Sequence, residues 1–147
     1  IEERLRIAKQ VGADIAVNAG EEDLSEVVKA ETDGLGADVV IEAVGLPATW
    51  ERAFELVRKG GTVLEFGGCP PGTTVRLNTE LLHYGEVKVL GSFHATPREF
   101  EIALSMIASG TIKVKPLITS RRPLPELEEV MRSLREEKKD LKVAIVP

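Results

Sequence analysis

The chain has 147 residues, 43% of them hydrophobic and 29% charged, with a formal net charge of −5, a composition that supports one globular core or slightly more. Its basic residues are dispersed among carboxylates, which excludes a nucleic-acid partner because phosphate neutralisation needs a basic face. No run approaches the roughly 20 apolar residues that span a bilayer, and the single cysteine, Cys69, allows no internal disulfide and points to a reducing, cytoplasmic setting.

The chain opens on Ile1, Glu2, Glu3 and Arg4, already helical in character and unlike a secretory signal, and this start suggests a piece of a longer chain. Ile1, Leu5, Ala8 and Val11 recur at helical spacing until Gly12, and the short apolar run Ile15 to Val17 then reads as a buried strand. Asp23 and Glu26 form a capping-box pattern ahead of a helix carrying Leu24, Val27 and Val28, which Gly34 and Gly36 end. A strand follows from Ala37 to Val44. Pro47 suits the first turn of a helix whose inner face is Trp50, Ala53, Phe54 and Val57 and which Gly60 and Gly61 close.

The strand Thr62 to Phe66 leads into Gly67, Gly68, Cys69, Pro70, Pro71 and Gly72, a composition that regular structure does not tolerate. Asn78 is placed to cap a short helix through Tyr84, and Val87, Val89 and Gly91 to Phe93 read as another strand. Thr96, Pro97 and Glu99 make a capping box with proline in the first turn, followed by Phe100, Ala103, Leu104 and Ile107 on one face, with Gly110 as the stop. Ile112, Val114, Leu117 and Ile118 suggest an extended segment, Leu127, Val130, Met131 and Leu134 a long helix, and Val143 to Ile145 a final strand. Repeated switching between the helical and strand periods implies an α/β layer structure.

Five stretches in order, RLRIAKQVGAD, DVVIEAVG, RKGGTVLEFGGCPPG, LLHYGEVKVLGSFHATPREFEIALSMIASGTIKVKPLIT and LKVAIVP, resemble the zinc-containing medium-chain alcohol and polyol dehydrogenases. The wording around His83 to Pro97 is most similar to the sorbitol and threonine dehydrogenase branch. The resemblance implies the C-terminal portion of such an enzyme: a partial doubly wound parallel (Rossmann) sheet lacking its first two strands, over residues 1–94, and a segment returning to the catalytic domain, over 95–147. The parent would transfer a hydride between a secondary alcohol or polyol and NAD or NADP, and this chain alone would be inactive.

On that resemblance the glycine-rich phosphate loop, and the acidic residue that selects between NAD and NADP, precede Ile1, so cofactor choice is unreadable. Arg4 matches a basic residue over the adenosine ribose, with a solvated partner for Glu2 or Glu3 as the plain alternative. Ala43, Val44 and Gly45, after Glu42, match the strand end over which adenine and its ribose pass, an ordinary strand-to-helix turn being the alternative. Phe66, Gly67 and Gly68 would lie beside the nicotinamide, Gly91, Ser92 and Phe93 would offer backbone groups to its carboxamide, and Lys142 would reach the pyrophosphate or be a plain surface lysine. Glu65 departs from the aliphatic residue expected in its strand, so it either faces a pocket or has a partner that sequence does not identify.

The family's zinc ligands, a Cys, a His and a carboxylate, fall outside this chain. His83, His94 and Cys69 stand apart from other ligands, so neither a metal nor a catalytic residue is assigned here. The strand Val87 to Phe93 matches the family's dimer edge and implies a homodimer or homotetramer. Two other readings remain open: a non-catalytic α/β nucleotide- or partner-binding module, and a fragment of a zinc-free quinone reductase relative.

Overall fold

The computed structural model describes residues 1–136 and 140–147. They form two compact units, one of residues 19–95 and one of residues 1–18 with 96–147. The secondary structure alternates as the periodicity implies, and the sheets are parallel throughout.

In the unit of residues 19–95, helix α2 (Leu24–Ala30) starts at Asp23, whose carboxylate accepts from Ser25 N at 2.8 Å. Strand β1 (Ala37–Glu42) crosses through α3 (Pro47–Leu56) to β2 (Val57–Glu65), and β2 crosses through α4 (Thr79–Tyr84) to β3 (Lys88–Gly91). Parallel neighbours need such crossovers, and the sheet order is β1-β2-β3. Asn78 caps α4 by accepting from Glu80 N and Leu81 N. Ala53, Phe54, Val57, Val63 and Val87 are packed into one buried cluster between α3 and the sheet. Burying a side chain such as Phe54 stabilises by about 1.5–3 kcal/mol.

Several element boundaries differ from the sequence pattern, among them β3, which ends at Gly91 rather than Phe93, and α3, which ends at Leu56 and leaves Val57 to the following strand. Strand β1 stops at Glu42 rather than Val44, because the Glu42 carboxylate takes the backbone N–H groups of Val44 and Gly45 and so removes them from the ladder. Strand β2 begins at Val57, not Thr62, yet the regular register resumes only at Val39↔Thr62. Residues 58–61 therefore form a bulge, in which Gly60 adopts φ 73° and its N–H donates to Gly85 O at 2.7 Å.

In the other unit, α1 (Glu2–Val11) ends on Gly12 at φ 125°. It buries Ile7 rather than the Ile1, Leu5, Ala8 and Val11 series. The expected strand at Ile15 to Val17 is absent: the segment is unpaired and Ile15 is exposed, and an extended apolar run without a ladder partner is not a strand. Helix α5 (Pro97–Ala108) carries the full capping box at Thr96 and Glu99. No residue of α5 is buried, and Phe100 on its apolar face is 69% exposed. A 3-10 turn occupies Lys115–Leu117, and the strand that follows, β4 (Ile118–Pro123), runs beyond the expected segment through Arg121 and Arg122. It pairs in parallel with β5 (Lys142–Val146), and α6 (Leu127–Glu136) lies between them in sequence with Val130 buried.

Candidate functional site

The register sets one row of residues across the carboxyl ends of the three strands: Glu42 opposite Glu65, and Glu65 opposite Gly91. In open parallel sheets this edge is where ligands bind. Side chains alternate along a strand, so Glu65 points to the same face as Val63, the side on which α3 packs. Glu42 and Glu65 are both buried, at 5% and 4% exposure.

Their surroundings push the two carboxyls apart. Glu42 Oε1 accepts from Val44 N at 2.8 Å, Gly45 N at 3.0 Å and Thr49 Oγ1 at 2.7 Å. Burial works against its charged form, but the hydrogen bonds from Thr49 and from the backbone of Gly45, Val44 and Gly67 outweigh it and hold the pKa below 4.5. Glu65 has no such donors, and neither of its oxygens has a hydrogen-bond partner. Burial first, and the adjacent Glu42 charge second, push its pKa up to about 7.

Glu42 also holds the turn that follows β1. Gly45 sits at φ 80°, and a Cβ there would lie 2.5 Å from Gly68 O. One at Gly67 would lie 2.6 Å from Glu42 Oε2 and 2.8 Å from Val44 N. Two loops, after β1 and after β2, thus touch backbone to backbone, which only glycine permits. Trp50 of α3 fastens the second loop by donating from Nε1 to Gly67 O at 2.8 Å.

Beside these loops is an open cleft of about 650 Å³, lined in part by Trp50, Glu65, Phe66, Gly67, Gly68, Ser92 and Phe93. Phe66 and Phe93 are 60% and 86% exposed, and a Cβ added at Gly91 would meet nothing within 4 Å. Of the residues singled out from sequence, Phe66, Gly67, Gly68, Ser92 and Phe93 share this cleft. Ala43 and Val44 line a second, smaller cleft of about 170 Å³ with Glu42 and Thr49, and Gly45 joins the two loops. Arg4, on α1, and Lys142, the first residue of β5, belong to the other unit and are exposed.

Sequence reasoning overlooked Trp50, read as part of a helix face, and Thr49 and Glu42 as the fastening of the turn. The available signal was a carboxylate ending a strand just ahead of a glycine and a proline-started helix. Cys69 is half-buried, and burial, Glu42 and Glu65 push its thiol pKa up, so it remains a protonated, weakly nucleophilic thiol. Among the described residues no group of three or more His, Cys, Asp or Glu side chains could hold a metal. The donor set therefore does not fit a zinc ion. The strand edge, the glycine contacts and the orphaned Glu65 do fit an organic ligand that brings its own polar groups. Among the same residues no helix is long and apolar enough to cross a membrane.

A family model described as zinc-binding dehydrogenase matches residues 1–109. D-arabitol-phosphate dehydrogenase of Enterococcus avium is 35% identical over 133 residues, covering 90% of this chain and 38% of that protein. Erythritol/L-threitol dehydrogenase of Mycolicibacterium smegmatis is 31% identical, covering 99% and 40%. Among solved structures, a zinc-binding dehydrogenase from Sinorhizobium meliloti bound to NADP superposes with a TM-score of 0.88 at 31% identity, over 98% of this chain and 42% of that one. An alcohol dehydrogenase from Thermotoga maritima gives 0.90 at 27% identity, over 100% and 41%. The chain spans about two fifths of the length of these relatives.

Proposed function

The chain belongs to the zinc-binding dehydrogenases, and from that membership we propose that it is the C-terminal, nucleotide-binding portion of an oxidoreductase that transfers a hydride between a secondary alcohol or polyol and NAD or NADP. The observation that carries this reading is the open cleft at the carboxyl ends of β1, β2 and β3, where the glycine-lined loops after β1 and β2 meet. The relatives named for arabitol phosphate, erythritol, threitol and sorbitol favour a polyol.

A bound nicotinamide dinucleotide supplies the hydride acceptor. The chain's own residues bind and orient it: Phe66, Gly67, Gly68, Ser92 and Phe93 flank the ring, and Ala43, Val44 and Gly45 carry the adenosine side. Arg4 and Lys142 are proposed as its cationic contacts. Glu42 and Trp50 keep both loops in the shape that the ligand meets, which is preorganisation rather than chemistry. The zinc, with the Cys, His and carboxylate that hold it, is proposed to belong to polypeptide outside these residues, as is the domain to which residues 95–147 return. We further propose a cytoplasmic homodimer or homotetramer, paired through the edge strand β3 and its flanks, Val87 to Phe93.

Calorimetric titration of the complete protein with NAD(H) and NADP(H) tests the binding, and turnover of a polyol panel, read by the absorbance of reduced nicotinamide, tests the reaction. The expected result is saturable binding and turnover of at least one polyol. Absence of dinucleotide binding refutes the reading; binding without turnover of any secondary alcohol or polyol, with zinc supplied, refutes the reaction.

A further inference from the structure

We propose that the Glu65 carboxyl is a ligand-contacting group, which hydrogen-bonds the carboxamide of a nicotinamide ring seated in the cleft between the loop after β2 and the segment Gly91 to Phe93. This rests on the dinucleotide reading above and adds a side-chain contact to it. Glu65 is 4% exposed, lines the floor of that cleft, and neither of its oxygens has a partner. A buried polar group left unmade destabilises the folded protein, so one that persists is expected to be satisfied by something it binds.

The neighbouring geometry indicates which chemistry that is. On one side Glu65 is opposite Glu42, which is already occupied by Val44, Gly45 and Thr49 and offers no donor. On the other it is opposite Gly91, where space is open, so the approach comes from the β3 side. Phe66 and Phe93 present largely exposed rings at the same cleft, which suits a flat ring more than a flexible polyol. A carboxyl group that carries its proton is both donor and acceptor, and so is a primary amide. The two can form a pair of hydrogen bonds, amide N–H to carboxyl oxygen and carboxyl O–H to amide oxygen, with no charge left buried. The ionised carboxylate retains the first of these bonds, and its charge opposes the positive ring of the oxidised cofactor.

The test measures binding to the complete protein of NAD, its 3-acetylpyridine analogue, in which a methyl ketone replaces the amide, and ADP-ribose, which lacks the ring. The unsubstituted protein is expected to prefer NAD over the analogue by roughly tenfold, the size of the one hydrogen bond lost, since the ketone keeps the acceptor oxygen. Glu65→Leu should lose that preference while its ADP-ribose affinity stays unchanged, which also reports that the variant is folded. Glu65→Gln, whose side chain also donates and accepts, should keep most of it. An unchanged preference in the Leu variant, or a loss of ADP-ribose binding in step with NAD binding in both variants, overturns the proposal alone. Failure of the unsubstituted protein to bind ADP-ribose or either dinucleotide overturns the proposal together with the reading beneath it.

Discussion

Replacing Glu65 by Gln removes a buried ionisable group with little change of shape, and its effect on stability should depend on pH in a calculable way. The folded pKa lies at about 7 against an ordinary 4.5, so between those values the folded state holds a proton that the unfolded chain has released. Stability from this group is therefore fully present below 4.5 and is lost as pH rises through 7, the reverse of a salt-bridged carboxylate. At about 1.36 kcal/mol for each tenfold in the protonation equilibrium, the full penalty of the charged form is on the order of 3 kcal/mol. From pH 5 to pH 8 most of it develops, roughly 2–3 kcal/mol. Urea unfolding followed by circular dichroism at both pH values, for the parent and for Glu65→Gln, measures it. The variant should gain stability relative to the parent by that amount on going from pH 5 to pH 8. Parallel pH profiles for the two proteins would refute the reasoning, since they would mean that Glu65 titrates as it does in water.

Glu42 should behave oppositely. With its pKa held below 4.5, its contribution is present above that value and is lost as pH falls through the folded pKa; Glu42→Ala, which strands Val44 N, Gly45 N and the Thr49 hydroxyl, should cost about 2–4 kcal/mol at pH 7 in the same unfolding assay. Gly67→Ala forces a methyl against Glu42 Oε2 and Val44 N and should cost about 2–4 kcal/mol, with a parallel loss of dinucleotide affinity in calorimetry. On strand β3, Val89→Asp should convert the proposed dimer to smaller species in sedimentation, since a charge on a pairing edge opposes association; an intact dimer would remove β3 from the interface.

Local signals were the most legible part of this chain. Thr96, Pro97 and Glu99 start α5, Asn78 starts α4, Pro47 starts α3 and Gly12 ends α1, because a cap or breaker acts within four residues of itself. The alternation of helix and strand, and with it the α/β class, followed from the same short-range periodicity. Glu65 was visible as an anomaly, a carboxylate in an apolar strand, although its state was not.

Tertiary pairing decided the rest, because a strand partner, a bulge or a neighbouring charge comes from residues distant in sequence. Ile15 to Val17 has a strand's composition and no ladder, and the Gly60 bulge that lets β2 start at Val57 depends on Gly85. The apolar face of α5 is exposed because nothing among the described residues covers it. Above all, the parallel register sets Glu42 beside Glu65 and Glu65 beside open space at Gly91. One carboxyl is therefore saturated with donors and ionised, and the other is left orphaned at the floor of a cleft. The chain itself supplied two glutamates 23 positions apart; only folding made them a pair, since their difference in protonation arises from the donors gathered on Glu42 and from the desolvation of Glu65 beside that charge.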